Sequence, residues 1–225
     1  MIGLERYARW RATGVGRLTE RLEQDAVFSL AGDLHGRRVL DVACGDGTYT
    51  ISACKRGARV FGVDLSRDML EAARQRAADC KQNLPWCVAS AEELPFESER
   101  FDVVIAVTAL CFVKNPQRSI QEATRVLRPG GSLIVGELGR YSLWAISRKV
   151  RGWLGSLTWR GVHFWSYGNL RKLIEQSGLR FHSHRSAVYY PPVGLIAAFL
   201  APYDSAISRL GQFGAAFLAL KADKP

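Results

Sequence analysis

No two cysteines of this 225-residue chain stand in a Cys-x-x-Cys arrangement. Its five cysteines, at positions 44, 54, 80, 87 and 111, are odd in number and scattered, which argues against both a disulfide framework and a structural zinc site. Histidine is scarce as well. His182 and His184 are expected to share a strand face but lack a third ligand, so no metal is expected. Long apolar runs are missing: the most apolar stretch, residues 191–200, is too short to cross a bilayer and opens with two prolines. Residues 1–10 carry charges and show neither an apolar signal core nor a small-residue cleavage site, so no secretory signal is expected and the cytoplasm is the expected location. Internal repeats and low-complexity tracts are also absent.

What remains is ordinary globular material, 48% hydrophobic and 23% charged, of a length suited to one domain over residues 1–225. Such a domain buries enough apolar surface to stand without disulfides or metals. The net charge of +10 allows nucleic acid, anionic lipid or acidic ligands as partners. Its arginines, however, are spread from Arg6 to Arg209 and often fall on expected helices, where a solvated face accounts for them. Nucleic acid is not the expected partner, because the chain holds no separate RNA-binding module and Asn115-Pro116 lacks the Pro-aromatic pair of a base-methylation motif.

Strand and helix alternate. Residues 37–42 read as a buried strand, 48–56 as a helix stopped by Gly57, and 58–63 as a second strand. Ser66 is the expected N-cap of a helix with Met69, Leu70, Ala73 and Ala77 on one face. Strands at 86–89 and 101–107 follow, then a helix opened by Asn115 and Pro116 and ended by Pro129, Gly130 and Gly131, and a fifth strand at 132–137. The alternation implies a doubly wound, seven-stranded, mostly parallel α/β sheet with right-handed crossovers and helices on both faces. Residues 138–165, with four tryptophans, break the rhythm and read as an inserted cap. A helix at 166–176, a strand at 180–189, a second expected cap segment at 191–210 and a last strand at 215–221 complete the chain.

The loop from Asp41 to Thr48 joins a strand to a helix, and its small residues let backbone approach a ligand. Asp64 ends the next strand about twenty residues on, where a carboxylate can accept hydrogen bonds from ribose hydroxyls. A nicotinamide dinucleotide is the competing ligand for this geometry. Two features weigh against it: after Gly45 and Gly47 the third small residue of the dinucleotide fingerprint is missing, and Asp41 would repel a pyrophosphate while attracting an amino group or sulfonium.

Four further stretches extend the pattern, at residues 62–70, 89–96, 101–105 and 125–131, and with 39–47 they resemble the motifs of the class I S-adenosylmethionine-dependent methyltransferases, in the group that includes the ubiquinone and menaquinone biosynthesis enzymes. The resemblance implies a Rossmann-like methyltransferase fold and S-adenosylmethionine as cofactor. It also implies that Asp41 and the backbone from Ala43 through Cys44 and Gly45 to Gly47 hold the methionine end, and Asp64 the ribose. Leu65 and Met69 would flank the adenine, Ser90, Ala91 and Glu92 would meet its edge, Val107 would floor the sulfonium, and Tyr7 would close over the cofactor. Two departures stand out. Ala43 replaces the usual glycine, which is tolerable if its φ is negative, and Ser90 replaces a frequent aspartate, keeping one hydrogen bond without the charge.

Methyl transfer is an in-line displacement that depends chiefly on positioning, so a base is optional. His163 is the first candidate for one and Glu137 the second, although Glu137 could instead meet Arg140. Leu110, Cys111, Phe112, Tyr141, Trp144, Trp165 and Tyr189 are candidate walls for a small aromatic or hydrophobic acceptor. An alternative is a lipid or quinone acceptor at a membrane surface, touched by residues 191–203 with Arg148, Lys149 and Arg151. A non-catalytic cofactor-binding protein is the non-enzyme alternative. The sequence leaves open the acceptor, the methylated atom and the oligomeric state.

Overall fold

The computed structural model describes the backbone of residues 4–209 and 211–225 and the side chains of the same residues from position 7 onward. Helices α1 (Leu4–Arg11) and α2 (Gly14–Ala31) precede strand β1 (Arg38–Val42). Then follow α3 (Thr48–Cys54), β2 (Arg59–Asp64), α4 (Arg67–Asp79), β3 (Trp86–Val88), β4 (Phe101–Val107), α5 (Pro116–Val126) and β5 (Leu127–Leu138). The last third holds α6 (Leu143–Trp153), α7 (Tyr167–Glu175), β6 (Arg180–Ala187), α8 (Gly194–Leu200), α9 (Asp204–Ser208) and β7 (Phe217–Asp223). Local chemistry sets the helix starts. Thr13, Ser66, Asn115, Ser142 and Ser166 each accept a hydrogen bond from a backbone N–H three residues on.

The strands form one seven-stranded sheet in the order β3-β2-β1-β4-β5-β7-β6, parallel except for β7, which pairs antiparallel with both β5 and β6. Every residue of β4 is buried, as a central strand covered on both faces requires. Two apolar layers flank the sheet. One is centred on Leu40, Val104, Ile120 and Leu170, the other on Val39, Ile105, Phe28, Phe217 and Tyr190. Among the described residues no helix is long and apolar enough to cross a membrane.

Two expectations need correction. The helix α5 ends at Val126, and residues 127–131 already belong to β5, where the pairing jumps from Phe101 opposite Leu127 to Val103 opposite Ser132. The bulge absorbs Pro129 and its glycines, and a Cβ on Gly131 would lie 3.0 Å from the Asp102 carbonyl. In β6 a register shift between Phe181 and Ser183 separates the two histidines: His182 meets Asp223 at 2.9 Å, while His184 lies 4.7 Å from the Tyr167 ring. The supposed cap at 138–165 contains α6, and the segment at 191–210 contains α8 and α9, with Leu210 outside the described residues.

Candidate functional site

Strand order reverses between β1 and β4, with helices α3 and α5 departing to opposite sides, and a cavity of about 470 Å3 opens where the carboxyl ends of β1, β2 and β4 diverge. Its walls bring together Tyr7, Asp41, Ala43, Cys44, Gly45, Asp64, Leu65, Met69, Ser90, Ala91, Glu92 and Val107. Gly47 does not line it. With φ +78° and a virtual Cβ 2.8 Å from the Trp86 ring, Gly47 instead lets α3 start against that tryptophan.

The loop after β1 is held from beneath by Asp64, whose carboxylate accepts hydrogen bonds from Gly45 N–H and Ser66 N–H, both at 2.8 Å. Asp41 accepts one from the Thr50 hydroxyl at 2.6 Å. Burial pushes the Asp41 carboxyl up to about 7, with the neighbouring Asp64 and Asp46 charges adding to it and the Thr50 hydrogen bond opposing. The third carboxylate is already paired: Asp46 meets Arg11 and, at 2.8 Å, Arg76. Since Arg11 also holds Glu20 at 2.7 Å, Asp46 fastens the end of α1 to the loop and sets Tyr7 beside the cavity. Sequence reasoning missed Asp46, although it lies inside the loop it read. Glu92 is likewise occupied, accepting hydrogen bonds from Lys114 N–H and Asn115 N–H. The loop carrying Ser90 and Ala91 is clamped by α5, through Glu122 to Leu94 N–H and Arg125 to the carbonyls of Leu94 and Phe96.

Ala43 does not have the negative φ that would make alanine easy there. Its φ is +57°, and Thr108, across the cavity at the end of β4, has φ +49°. Two non-glycine residues held in the left-handed region on facing strand ends mark a locally strained site, of the kind that functional pockets retain.

The expected acceptor wall is dispersed. Only Phe112 lines the cavity, with Thr108, Ala109, Val113 and Lys114, none of them singled out from the sequence. Leu110 is core, and Cys111 turns away to pack with Leu138, Ala145 and Phe164, its thiol pushed up by burial. Trp144 is a core residue whose indole N–H donates to the Tyr190 carbonyl at 2.7 Å. Tyr141 and Trp165 line a separate cleft with Phe213, and Tyr189 donates its hydroxyl to the Gly211 carbonyl at 2.5 Å.

Both candidate bases also stand elsewhere. His163 is exposed, its ring 4.3 Å from that of Trp165, and partial desolvation together with the charges of Arg140 and Lys149 lowers its pKa. Glu137 is 0% exposed and forms no ion pair with an arginine among the described residues. It accepts hydrogen bonds from Leu110 N–H at 2.6 Å and Leu138 N–H at 3.3 Å, so it anchors the loop after β4. Burial pushes its carboxyl up to about 7.

Among the described residues three buried side-chain polar atoms have no hydrogen-bond partner, on Tyr49, Trp165 and Ser186, and of these Tyr49, in the first turn of α3, is the one that belongs to this cavity. Its ring lines the cavity, and its buried hydroxyl has no hydrogen bond. Beyond it, burial pushes the Glu23 carboxyl up to about 7, against the pull of Arg148. That guanidinium lies over the Trp144 and Trp159 rings, and burial lowers its pKa to about 10. Neither Tyr49 nor Glu23 carries a local sequence signal, because an aromatic or a carboxylate on a helix face more often packs or is solvated.

These walls suit a nucleoside bearing a positive charge. Two carboxylates, Asp41 and Asp64, have no cationic partner among the described residues, Lys114 is the one basic side chain among the described lining residues, and Gly45 leaves open space for backbone contact. The profile of a family described as "methyltransferase domain" matches residues 40–135, the segment that carries all of these strand ends. An uncharacterized protein of Mycobacterium tuberculosis is 32% identical over 96% of this chain and 70% of its own length. A ubiquinone biosynthesis O-methyltransferase of Alkalilimnicola ehrlichii is 32% identical over 76% of this chain and 71% of its own. Among solved structures, an S-adenosylmethionine-dependent methyltransferase of Thermotoga maritima superposes with TM-score 0.76 at 25% identity, covering 99% of this chain and 96% of that one. The magnesium protoporphyrin IX methyltransferase of Synechocystis, with bound S-adenosylhomocysteine, shares the fold at TM-score 0.71 and 19% identity over 99% and 94% of the two chains. The chain belongs to the class I S-adenosylmethionine-dependent methyltransferases, with S-adenosylmethionine as its cofactor.

Proposed function

We propose that this enzyme methylates a small, largely apolar, aromatic acceptor carrying one ionisable hydroxyl or amine, in a single domain. In this reading Asp41 and the Ala43-to-Gly45 backbone hold the amino acid end of the cofactor, and Asp64 turns the part of its carboxylate left free by Gly45 and Ser66 toward the ribose. Leu65 and Met69 flank the adenine, Ser90, Ala91 and Glu92 follow its edge, Val107 forms the floor, and Tyr7 covers the mouth. The bound cofactor supplies an electrophilic methyl group on a sulfonium. The protein supplies alignment, which is worth several kcal/mol when the reacting atoms are held near contact.

The acceptor lies over Phe112, Ala109 and Val113, and its polar atom faces Tyr49. The carrying observation is that unsatisfied buried Tyr49 hydroxyl on the cavity wall, which a polar group of the acceptor would satisfy. Burial, with the nearby Glu23 charge adding to it, raises the Tyr49 pKa, so the hydroxyl stays protonated and can donate to the acceptor's polar atom. The test is turnover of a panel of phenols, quinols and aryl amines with isotopically labelled methyl donor. Tyr49→Phe should lower kcat/KM for the best acceptor by about tenfold, equivalent to roughly 1.4 kcal/mol, and leave S-adenosylhomocysteine affinity unchanged. His163→Ala should keep wild-type kinetics. If Tyr49→Phe matches wild type while His163→Ala loses kcat, the acceptor sits under the 138–165 segment instead.

A further inference from the structure

Helix α6 is amphipathic in an inverted sense. Its inward side carries Trp144 and Ala145, both buried, and Arg148, stacked on the Trp144 and Trp159 rings. Its outward side carries Leu143, Ile146, Val150 and Trp153, and the turn after it adds Leu154 and Leu157, all exposed. Trp153 is 94% exposed, and Leu154 and Leu157 are each 81% exposed. At about 100° per residue, positions 143, 146, 150, 153 and 154 fall in one arc of about 100°, running the full length of the helix. Lys149 borders the arc on one side and Arg151 on the other, both exposed.

Charge selects the occupant. Between Glu137 and Glu175 the sequence contains no acidic residue, while Arg140, Arg148, Lys149, Arg151, Arg160, Arg171 and Lys172 are all basic. A continuous apolar arc flanked by long basic side chains, on an element with no acid to repel phosphate, matches an anionic bilayer surface: apolar groups enter the acyl boundary and the basic heads reach the phosphates. A large exposed tryptophan at the helix end suits the same interfacial depth.

We propose that the outer face of α6, from Leu143 through Leu157, docks this enzyme peripherally on an anionic membrane, with the helix lying in the interfacial plane. Of the residues expected from the sequence, Lys149 and Arg151 keep their place at the docking face, whereas Arg148 points inward and the apolar contact is taken from α6 instead of residues 191–203. The inner side of the same helix packs through Ala145 on Cys111, next to the cavity-lining Phe112, so docking brings the bilayer one helix layer from the site.

The test is cosedimentation of the full chain with vesicles of phosphatidylcholine, with and without phosphatidylglycerol, at several salt concentrations. Binding should require the anionic lipid and weaken as salt rises. Arg151→Gln should reduce the vesicle partition coefficient about fivefold, the effect of one basic charge at such a surface. Trp153→Ser and Leu157→Ser should each reduce it about tenfold through lost apolar insertion. All three residues lie outside the cavity, so S-adenosylhomocysteine affinity should stay unchanged and report an intact fold. Failure to bind anionic vesicles overturns the proposal, as does binding indifferent to phosphatidylglycerol. A concentration-dependent dimer in analytical ultracentrifugation that Trp153→Ser abolishes would overturn it in favour of a second copy of the chain.

Discussion

Asp41 is buried beside two other carboxylates and carries a pKa raised to about 7, chiefly by burial, so near neutrality a proton competes for it with any cationic ligand. The amino group of S-adenosylhomocysteine is such a cation, and in the proposed arrangement it requires Asp41 ionised. Lowering the pH from 8 to 6 carries the unliganded group from mostly ionised to mostly protonated, while the bound cation keeps it ionised. Below about pH 7 the affinity should therefore fall by close to tenfold per pH unit, since one unit corresponds to about 1.4 kcal/mol. For folding the sign is the reverse. A carboxyl whose folded pKa is raised gives its stability at low pH and loses it as pH rises through 7, so the free protein gains nothing from this group at pH 8. Isothermal titration of S-adenosylhomocysteine at a series of pH values measures the effect. Repeating it in buffers of different ionisation enthalpy counts the proton released on binding. Asp41→Asn should bind more weakly at pH 8 and show a flat profile. A wild-type affinity that does not change between pH 6 and 8, or a pH slope that survives in Asp41→Asn, would refute the assignment.

Glu137→Gln should retain methyl transfer, because the amide oxygen can still accept from Leu110 N–H; Glu137→Ala should lose about 2 to 3 kcal/mol in urea denaturation, the range for an unsatisfied buried hydrogen bond to a charged group. A large kcat loss in the glutamine variant would restore Glu137 as a base. Two glycines of one loop should separate by assay. Gly47→Ala should destabilise the fold by about 2 kcal/mol or more, combining its left-handed φ with the Trp86 clash, and Gly45→Ala should cost only about 1 kcal/mol but weaken cofactor binding, because its Cβ meets no protein atom and projects into open space. Thermal denaturation and calorimetry distinguish the two.

The sequence by itself determined the parts of this protein written in short-range chemistry. Parallel strands covered on both faces must be largely apolar runs, so β1, β2 and β4 were legible, and Ser66 and Asn115 announced their helices as side-chain caps. The cavity's carboxylates were legible too, since Asp41 and Asp64 end consecutive strands, and strand ends meet at the switch point of a doubly wound sheet. Tertiary structure alone decided where side chains point when no local rule constrains them. Trp144 looked like an acceptor wall because it is aromatic and lies outside the alternating pattern, yet it faces the core, where Tyr190 takes its N–H. Glu137 looked like a base because it ends a strand, yet a loop 27 residues earlier in the chain consumes its carboxylate. Tyr49 and Glu23 gained meaning only when α3 lined the cavity and α2 packed behind it, because an unsatisfied hydroxyl is defined by its surroundings. The outward apolar arc of α6 follows the same logic. A helical period reports that one side differs from the other, and only packing says which side the core takes.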